Sequence, residues 1–183
     1  MKIVILNGES TNSKMGFSAY IENLCAELNS ENEVKVHNLA VQNYLYCTGC
    51  WSCWWKDPGK CALNDRPDNI FRDVINSDLV IFASPLKYGF TSVELKTITD
   101  RLIVLLHPYI EFRFKESHHK KRYPKYPNIG LLVSKEEDTD NEDLQIIKDI
   151  YDRFAINFHC ENKFLLVKED QDIKKIRDEI INN

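Results

Sequence analysis

At 183 residues, 43% of them hydrophobic and 11% aromatic, the chain is large and apolar enough to bury a full core as one domain, 1–183, without disulfide or metal support. A formal net charge of −4 argues against a general affinity for nucleic acid or for an anionic membrane surface. No stretch approaches about eighteen consecutive apolar residues and the first residues already read as strand rather than leader, so a cytoplasmic location with no membrane partner is the expectation.

Ile3, Val4, Ile5 and Leu6 form a short apolar run, rich in β-branched residues, that reads as a strand buried on both faces. A polar run follows: Asn7, Gly8, Glu9, Ser10, Thr11, Asn12 and Ser13. Gly16 then opens an amphipathic helix carrying Phe17, Ile21, Leu24, Cys25 and Leu28 on one stripe, with Ser13 or Ser18 placed to cap it. The first backbone N–H groups of such a helix have no partner inside it, so with the neighbouring hydroxyls they make a ready phosphate site; an ordinary capped helix is the plainer alternative. Neither G-x-x-x-x-G-K-[ST] nor G-x-G-x-x-G occurs.

Val34, Val36 and Leu39 alternate with polar residues, as in a half-exposed strand near a sheet edge, and strand, helix and strand joined in this way imply a right-handed parallel crossover. Residues 40–69 break the rhythm with four cysteines, three tryptophans and two tyrosines, a long functional loop. A short helix is expected over Asn69–Asn76, then a central strand over Leu79–Ala83, the segment SPLKYGFTS, and a helix from Val93 to Leu106. A basic aromatic loop, His107 to Tyr126, leads to a fourth strand, Ile129–Val133. The acidic run Glu136–Asp143 reads as a solvated helix start before the stripe Leu144, Ile147, Tyr151, Phe154 and Phe158. A fifth strand, Phe164–Val167, and a last helix with Ile173, Ile176 and Ile180 complete the chain.

With no antiparallel hairpin signal, five strands alternating with helices make an α/β fold: an open parallel sheet covered on both faces. Ligands in such sheets bind beyond the carboxyl ends of the strands, which points to the loops after strands one, three and four.

Cys47, Cys50, Cys53 and Cys61 follow C-x2-C-x2-C-x7-C. Three closely spaced thiolates and a fourth suit a [4Fe–4S] cluster, while reduced structural or redox-active thiols and, less naturally for three cysteines in a tight row, zinc remain open. Cys25 and Cys160 read as core residues. Trp51, Trp54, Trp55, Tyr44 and Tyr46 either bury the loop or form an interface. His118 and His119 read as part of a solvated basic loop that is also a possible holder of a cofactor phosphate, and Lys96, Asp100 and Arg101 as intrahelical pairs.

The hydroxyl-rich first loop, the cysteine cluster and the stretch SDLVIFASPLKYGFTSVELKTITDR, Ser77 to Arg101, together resemble the flavodoxin-fold NAD(P)H-dependent FMN reductase family, with the cysteine pattern similar to its iron–sulfur flavoproteins. The resemblance implies a flavodoxin-like three-layer sandwich with strand order 2-1-3-4-5, noncovalent FMN, NAD(P)H as electron donor, a small electron acceptor such as a quinone or nitro compound, and a homodimer. An electron carrier without its own substrate turnover is the alternative. Under the resemblance Ser10, Asn12, Gly16, Phe17 and Ser18 surround the flavin phosphate, and Ser84, Pro85, Leu86, Lys87, Tyr88 and Gly89 line the ring, with Tyr88 nearest. Ser134 and Lys135 end strand four beside them on geometry alone. No catalytic acid or base is implied, because the flavin carries the chemistry. Two departures stand out: Phe17 occupies a position that is commonly polar in the family, and Glu9 puts a negative charge at the anion site, which opposes phosphate unless it turns outward.

Overall fold

The computed structural model describes residues 1–10, 16–65 and 67–183; Asn12, expected at the phosphate, and Ser13, expected as a cap, lie outside them. The chain runs β1 (Lys2–Asn7), α1 (Phe17–Leu28), β2 (Glu33–Asn38), α2 (Ser52–Trp55), α3 (Asp68–Ile75), β3 (Leu79–Lys87), β4 (Phe90–Thr91), α4 (Val93–Arg101), β5 (Leu106–Arg113), β6 (Glu116–Lys121), β7 (Asn128–Ser134), α5 (Asn141–Asn157), β8 (Asn162–Val167) and α6 (Ile173–Asn182). The main sheet is ordered β2-β1-β3-β7-β8 with every pair in that path parallel, the 2-1-3-4-5 arrangement expected of the five parallel strands.

Alternation along the strands divides the core into two layers. Ile3, Ile5, Leu79 and Ile81 pack with Phe17, Ile21 and Leu24 of α1 and Ile176 and Ile180 of α6. Val4, Leu6, Val80 and Phe82 pack on the other face with residues of α3, α4 and α5, among them Ile70, Leu95 and Ile147. All of β3 except Lys87 is buried, as a central parallel strand requires, whereas β2 is exposed or half-buried throughout at the edge. The acidic start of α5 is solvated as expected, and Asp140 and Asp143 form a reciprocal capping box there.

Four expectations are corrected. The basic aromatic segment is not a loop: β5 and β6 form an antiparallel hairpin, and β4 folds back antiparallel on β3. Both turns place two residues at positive φ, Phe114 (52°) with Lys115 (65°) and Tyr88 (53°) with Gly89 (69°). A two-residue turn of this kind usually announces itself by Asn-Gly or Asp-Gly, and Phe-Lys carries no such signal. The helix expected to reach Leu106 ends at Arg101, its continuation tightening into a 3-10 turn over Leu102–Leu105; Pro108 then disfavours helical geometry at His107. His118, read as solvated, is 4% exposed on β6. Cys25, read as core, is only half-buried. Among the described residues no helix is long and apolar enough to cross a membrane.

The sheet tolerates no side chain at Gly130 on β7, where a Cβ would lie 2.2 Å from the Phe164 ring. Gly130→Ala is expected to destabilise the fold by about 1–3 kcal/mol, read as a lower denaturant midpoint with an unchanged slope.

Candidate functional site

β1 and β3 are neighbours at the point where strand order reverses, so the loops leaving their carboxyl ends flank the crevice of the sheet. Asn7, 1% exposed at the end of β1, organises this corner. Its amide donates to Ser18 Oγ and to Asn38 Oδ1, both at 2.9 Å, and its Oδ1 accepts the Glu9 N–H at 3.1 Å. Gly16, at φ 65°, begins α1 without capping it through a side chain. The cap comes from Glu9, which turns inward: its carboxylate accepts the Phe17 N–H at 3.0 Å and the Ser18 N–H at 2.5 Å. A negative charge at the positive end of the helix dipole is the favourable arrangement. The first-turn amides therefore do hold an anion, and the anion is the chain's own. Another anion reaches the same donors only by displacing it.

The Ser84–Gly89 segment closes the other side. Ser84, Pro85 and Leu86 are buried within β3, with Pro85 in register with Ser134 of β7. The Ser84 hydroxyl donates to Pro85 O at 2.7 Å and accepts the Ser92 N–H at 2.9 Å, while Ser92 Oγ caps α4 by accepting the Leu95 N–H at 3.2 Å. Beyond the strand, Lys87 is exposed and Tyr88 is 97% exposed on the turn, its N–H donated to Glu136 Oε2 at 2.7 Å. A Cβ at Gly89 would meet Asp143 Oδ1 at 2.6 Å, so the close approach there is to α5. Ser134 donates to Glu169 Oε1 at 2.6 Å, and the Lys135 N–H to Glu169 Oε2 at 3.0 Å. The structure thus gathers Gly16, Phe17 and Ser18 around Glu9, and Ser84–Gly89 beside Ser134. Ser10 lines a cavity of about 320 Å3 walled by Asn43, Tyr44, Tyr46, Val93 and Glu94, in which Tyr88 takes no part.

Cys47, Cys50, Cys53 and Cys61, all free thiols, line one cavity of about 370 Å3 together with Trp54 and Arg101. Among the described residues no three His, Cys, Asp or Glu side chains are grouped so that they could hold a metal ion, although the four cysteines line this one cavity. Hydrogen bonding from the Ser52 backbone draws the Cys50 thiol below its ordinary value, whereas burial, and after it the neighbouring thiols, push Cys53 up.

Arg101 is not part of an intrahelical pair. Lys96 and Asp100 do pair, at 2.5 Å, but Arg101 is 1% exposed and turns to the cysteine loop. It forms a two-pronged pair with Asp65 and donates to Leu45 O at 3.0 Å and to Cys61 Sγ at 3.2 Å. Asp65 in turn accepts the Leu45 N–H at 2.7 Å, so one clasp joins both ends of the loop to α4. Trp54 adds a second attachment, its indole N–H donated to Leu106 O at 3.1 Å and its ring 4.9 Å from that of His119. The aromatics divide: Tyr44 and Trp54 are half-buried and fasten the loop, while Tyr46, Trp51 and Trp55 stay open. The two cavities are neighbours, since Tyr46 lines one and Cys47 the other, and α4 contributes Thr97 to the first and Arg101 to the second, about 6 Å apart along the helix axis.

Sequence reasoning missed Asn7, the inward turn of Glu9 and the reach of Arg101. Their residue types were visible; the partners, 2 to 56 positions away, were not.

A doubly wound parallel sheet of this order is a flavodoxin-like fold, and an anion-holding helix start at its switch point is the feature that suits a phosphorylated ligand. The sequence model of the NADPH-dependent FMN reductase family matches residues 1–119, and the chain belongs to that family. It is 39% identical over 75 residues to an iron-sulfur flavoprotein of Archaeoglobus fulgidus, covering 41% of this chain and 33% of that protein. With an iron-sulfur flavoprotein of Methanocaldococcus jannaschii it shares 35% identity over 69 residues, 38% of this chain and 35% of that one. The matches thus span about a third of the length of these curated relatives. The solved NAD(P)H:quinone oxidoreductase from Methanothermobacter marburgensis superposes with a TM-score of 0.61 at 14% identity, over 97% of this chain and 93% of that one, a likeness of fold.

Glu9→Ser frees both helix amides; FMN is then expected to bind roughly tenfold tighter by calorimetry, the net worth of about one charge-assisted hydrogen bond, with riboflavin unchanged because it lacks the phosphate. The Arg101 hydrogen bonds hold the Asp65 carboxyl below its usual range. A depressed folded value stabilises the protein above the unfolded value near about pH 4 and loses that contribution as pH falls through the folded one. Trp54 fluorescence should report loop release over that interval, and Asp65→Asn should abolish this pH dependence while lowering stability at neutral pH.

Proposed function

We propose that the protein is an NAD(P)H-dependent FMN oxidoreductase that passes electrons through the flavin to a small acceptor such as a quinone or nitro compound, and that its four clustered cysteines hold a [4Fe–4S] centre. The observation that carries this reading is the helix start at the switch point of the sheet, whose Phe17 and Ser18 amides are anion donors that Glu9 fills and that a phosphate reaches only if Glu9 turns away. In an FMN reductase family member, that is where a flavin phosphate belongs.

Bound FMN would supply the hydride and electron-transfer chemistry between NAD(P)H and the acceptor. The chain's own part is to bind and orient. Ser10, Gly16, Phe17 and Ser18, and by the resemblance Asn12, which lies outside the described residues, would hold the phosphate once Glu9 yields its place. Ser84–Gly89 and Ser134 border the ring. The Ser84 and Ser134 hydroxyls are already engaged, so this border acts through main chain and shape rather than through free hydroxyls. Cys47, Cys50, Cys53 and Cys61 would hold the cluster, which would supply one-electron chemistry, in a cavity that adjoins the one Ser10 lines. That adjacency also supports the second reading, an iron–sulfur flavoprotein electron carrier without its own substrate turnover. We place the working protein in the cytoplasm as a homodimer.

Protein purified without oxygen is expected to contain FMN, iron and sulfide, and to oxidise NAD(P)H with a rate that saturates in both nicotinamide and quinone. Bound flavin and iron without saturable NAD(P)H oxidation would select the carrier. A colourless protein that takes up no added FMN would refute both. Cys61→Ser should lose iron and keep flavin.

A further inference from the structure

We propose that Arg101 is the positioning residue of the cysteine site: it holds the Cys61 sulfur at the cavity and, through that N–H···S contact, raises the reduction potential of the centre the four cysteines carry. This rests on reading those cysteines as cluster ligands.

Three features of the clasp support it. First, Cys61 follows Cys53 by eight positions, whereas the other three cysteines are three apart; it needs an outside group to place it, and Arg101 Nη2 is at 3.2 Å from its sulfur. Second, Arg101 is held in one orientation. Its guanidinium, on a residue 1% exposed, is gripped by Asp65, with Nη2 to Oδ1 at 2.8 Å, and by Leu45 O at 3.0 Å. A planar fork fixed on two sides delivers its remaining donors with little loss of entropy. Third, Arg101 lines the cavity, and its buried Nε–H has no acceptor among the described residues. An orphaned buried donor is costly, and an acceptor brought within its reach removes that cost.

The electrostatics give opposite signs for the two partners. A cluster ligated by four thiolates is net negative, and each added electron makes it more so. Donors and positive charge at its sulfurs therefore favour the reduced form. Asp65 opposes that effect by neutralising the guanidinium while also steering it. Weakening Arg101 lowers the potential, and neutralising Asp65 raises it. A purely structural clasp predicts no such antisymmetry.

The test reconstitutes wild-type protein, Arg101→Lys and Asp65→Asn anaerobically with iron and sulfide, and compares iron content, circular dichroism, release of iron to a chelator, and the midpoint of a redox titration followed by electron paramagnetic resonance. Arg101→Lys keeps the charge but loses the fork. Its midpoint is expected to fall and Asp65→Asn's to rise, each by about a tenfold change in the reduction equilibrium, 59 mV for one electron. Iron release from Arg101→Lys should be roughly tenfold faster. Should Arg101→Lys fail to fold, the sign of the Asp65→Asn shift decides. A folded Arg101→Lys that takes up no iron while wild type does also supports the positioning role. Midpoints equal to wild type in both loaded variants, or shifts of the same sign, overturn the inference and leave the cluster reading intact. Wild-type protein that binds no iron overturns the cluster reading itself, and this inference with it.

Discussion

A parallel sheet buried on both faces has one place for chemistry, the edge formed by the carboxyl ends of its strands. Helices cover its faces, and the interior of β3 is occupied by apolar contacts with both layers. What remains are the loops leaving β1, β2, β3 and β7, and the loop after β2 carries Cys47, Cys50, Cys53 and Cys61. The same architecture starts a helix beside each such loop, and a helix start has amides that need acceptors. Side chains meet that need at four helices: Glu9 at α1, Ser92 at α4, Asp140 at α5 and, after β8, Asp172 at α6. Serine and aspartate are ordinary caps close to their helices. Glu9 reaches across from the preceding loop, where a ligand's anion is the more natural partner.

α4 connects the two halves of the site. Its amino end is tied to β3 through Ser84 and Ser92, and its carboxyl end to the cysteine loop through Arg101. The loop, residues 40–69, contributes few fully buried apolar side chains, so its attachment is polar. Removing one member of a buried ion pair leaves the other uncompensated, which makes the Arg101–Asp65 contact a demanding one to lose. Trp54 supplies an independent hold on the 3-10 turn and β6. Loop, helix and sheet edge are in this way fixed relative to one another, and the cavities of Ser10 and of the cysteines come to share a wall.

The sheet was legible because strand burial imprints itself locally. Four consecutive apolar residues from Ile3 and five from Leu79 identify two inner strands without any knowledge of their neighbours. The β5–β6 hairpin escaped because its turn has Phe114 and Lys115 at positive φ, a conformation that its tertiary setting imposes and that neither residue type advertises. At the site, the SPLKYGFTS segment was legible as a special turn. That Ser84 serves α4 rather than open space was not, since its partner Ser92 lies on the far side of a two-residue hairpin.

By itself the sequence determined the five parallel strands and the helices between them, the two-faced burial of the sheet, the flavin reductase resemblance and the grouping of four cysteines. All of these depend on residues near one another along the chain. Only the tertiary structure decided that Glu9 occupies the helix amides, that Arg101 leaves its own helix to hold Cys61, and that the cysteines enclose a space beside the Ser10 cavity. Those outcomes turn on where a long polar side chain finds its partner once distant segments meet. Local periodicity constrains the direction of a side chain's face, but not which of several acceptors beyond it will be close enough to bind.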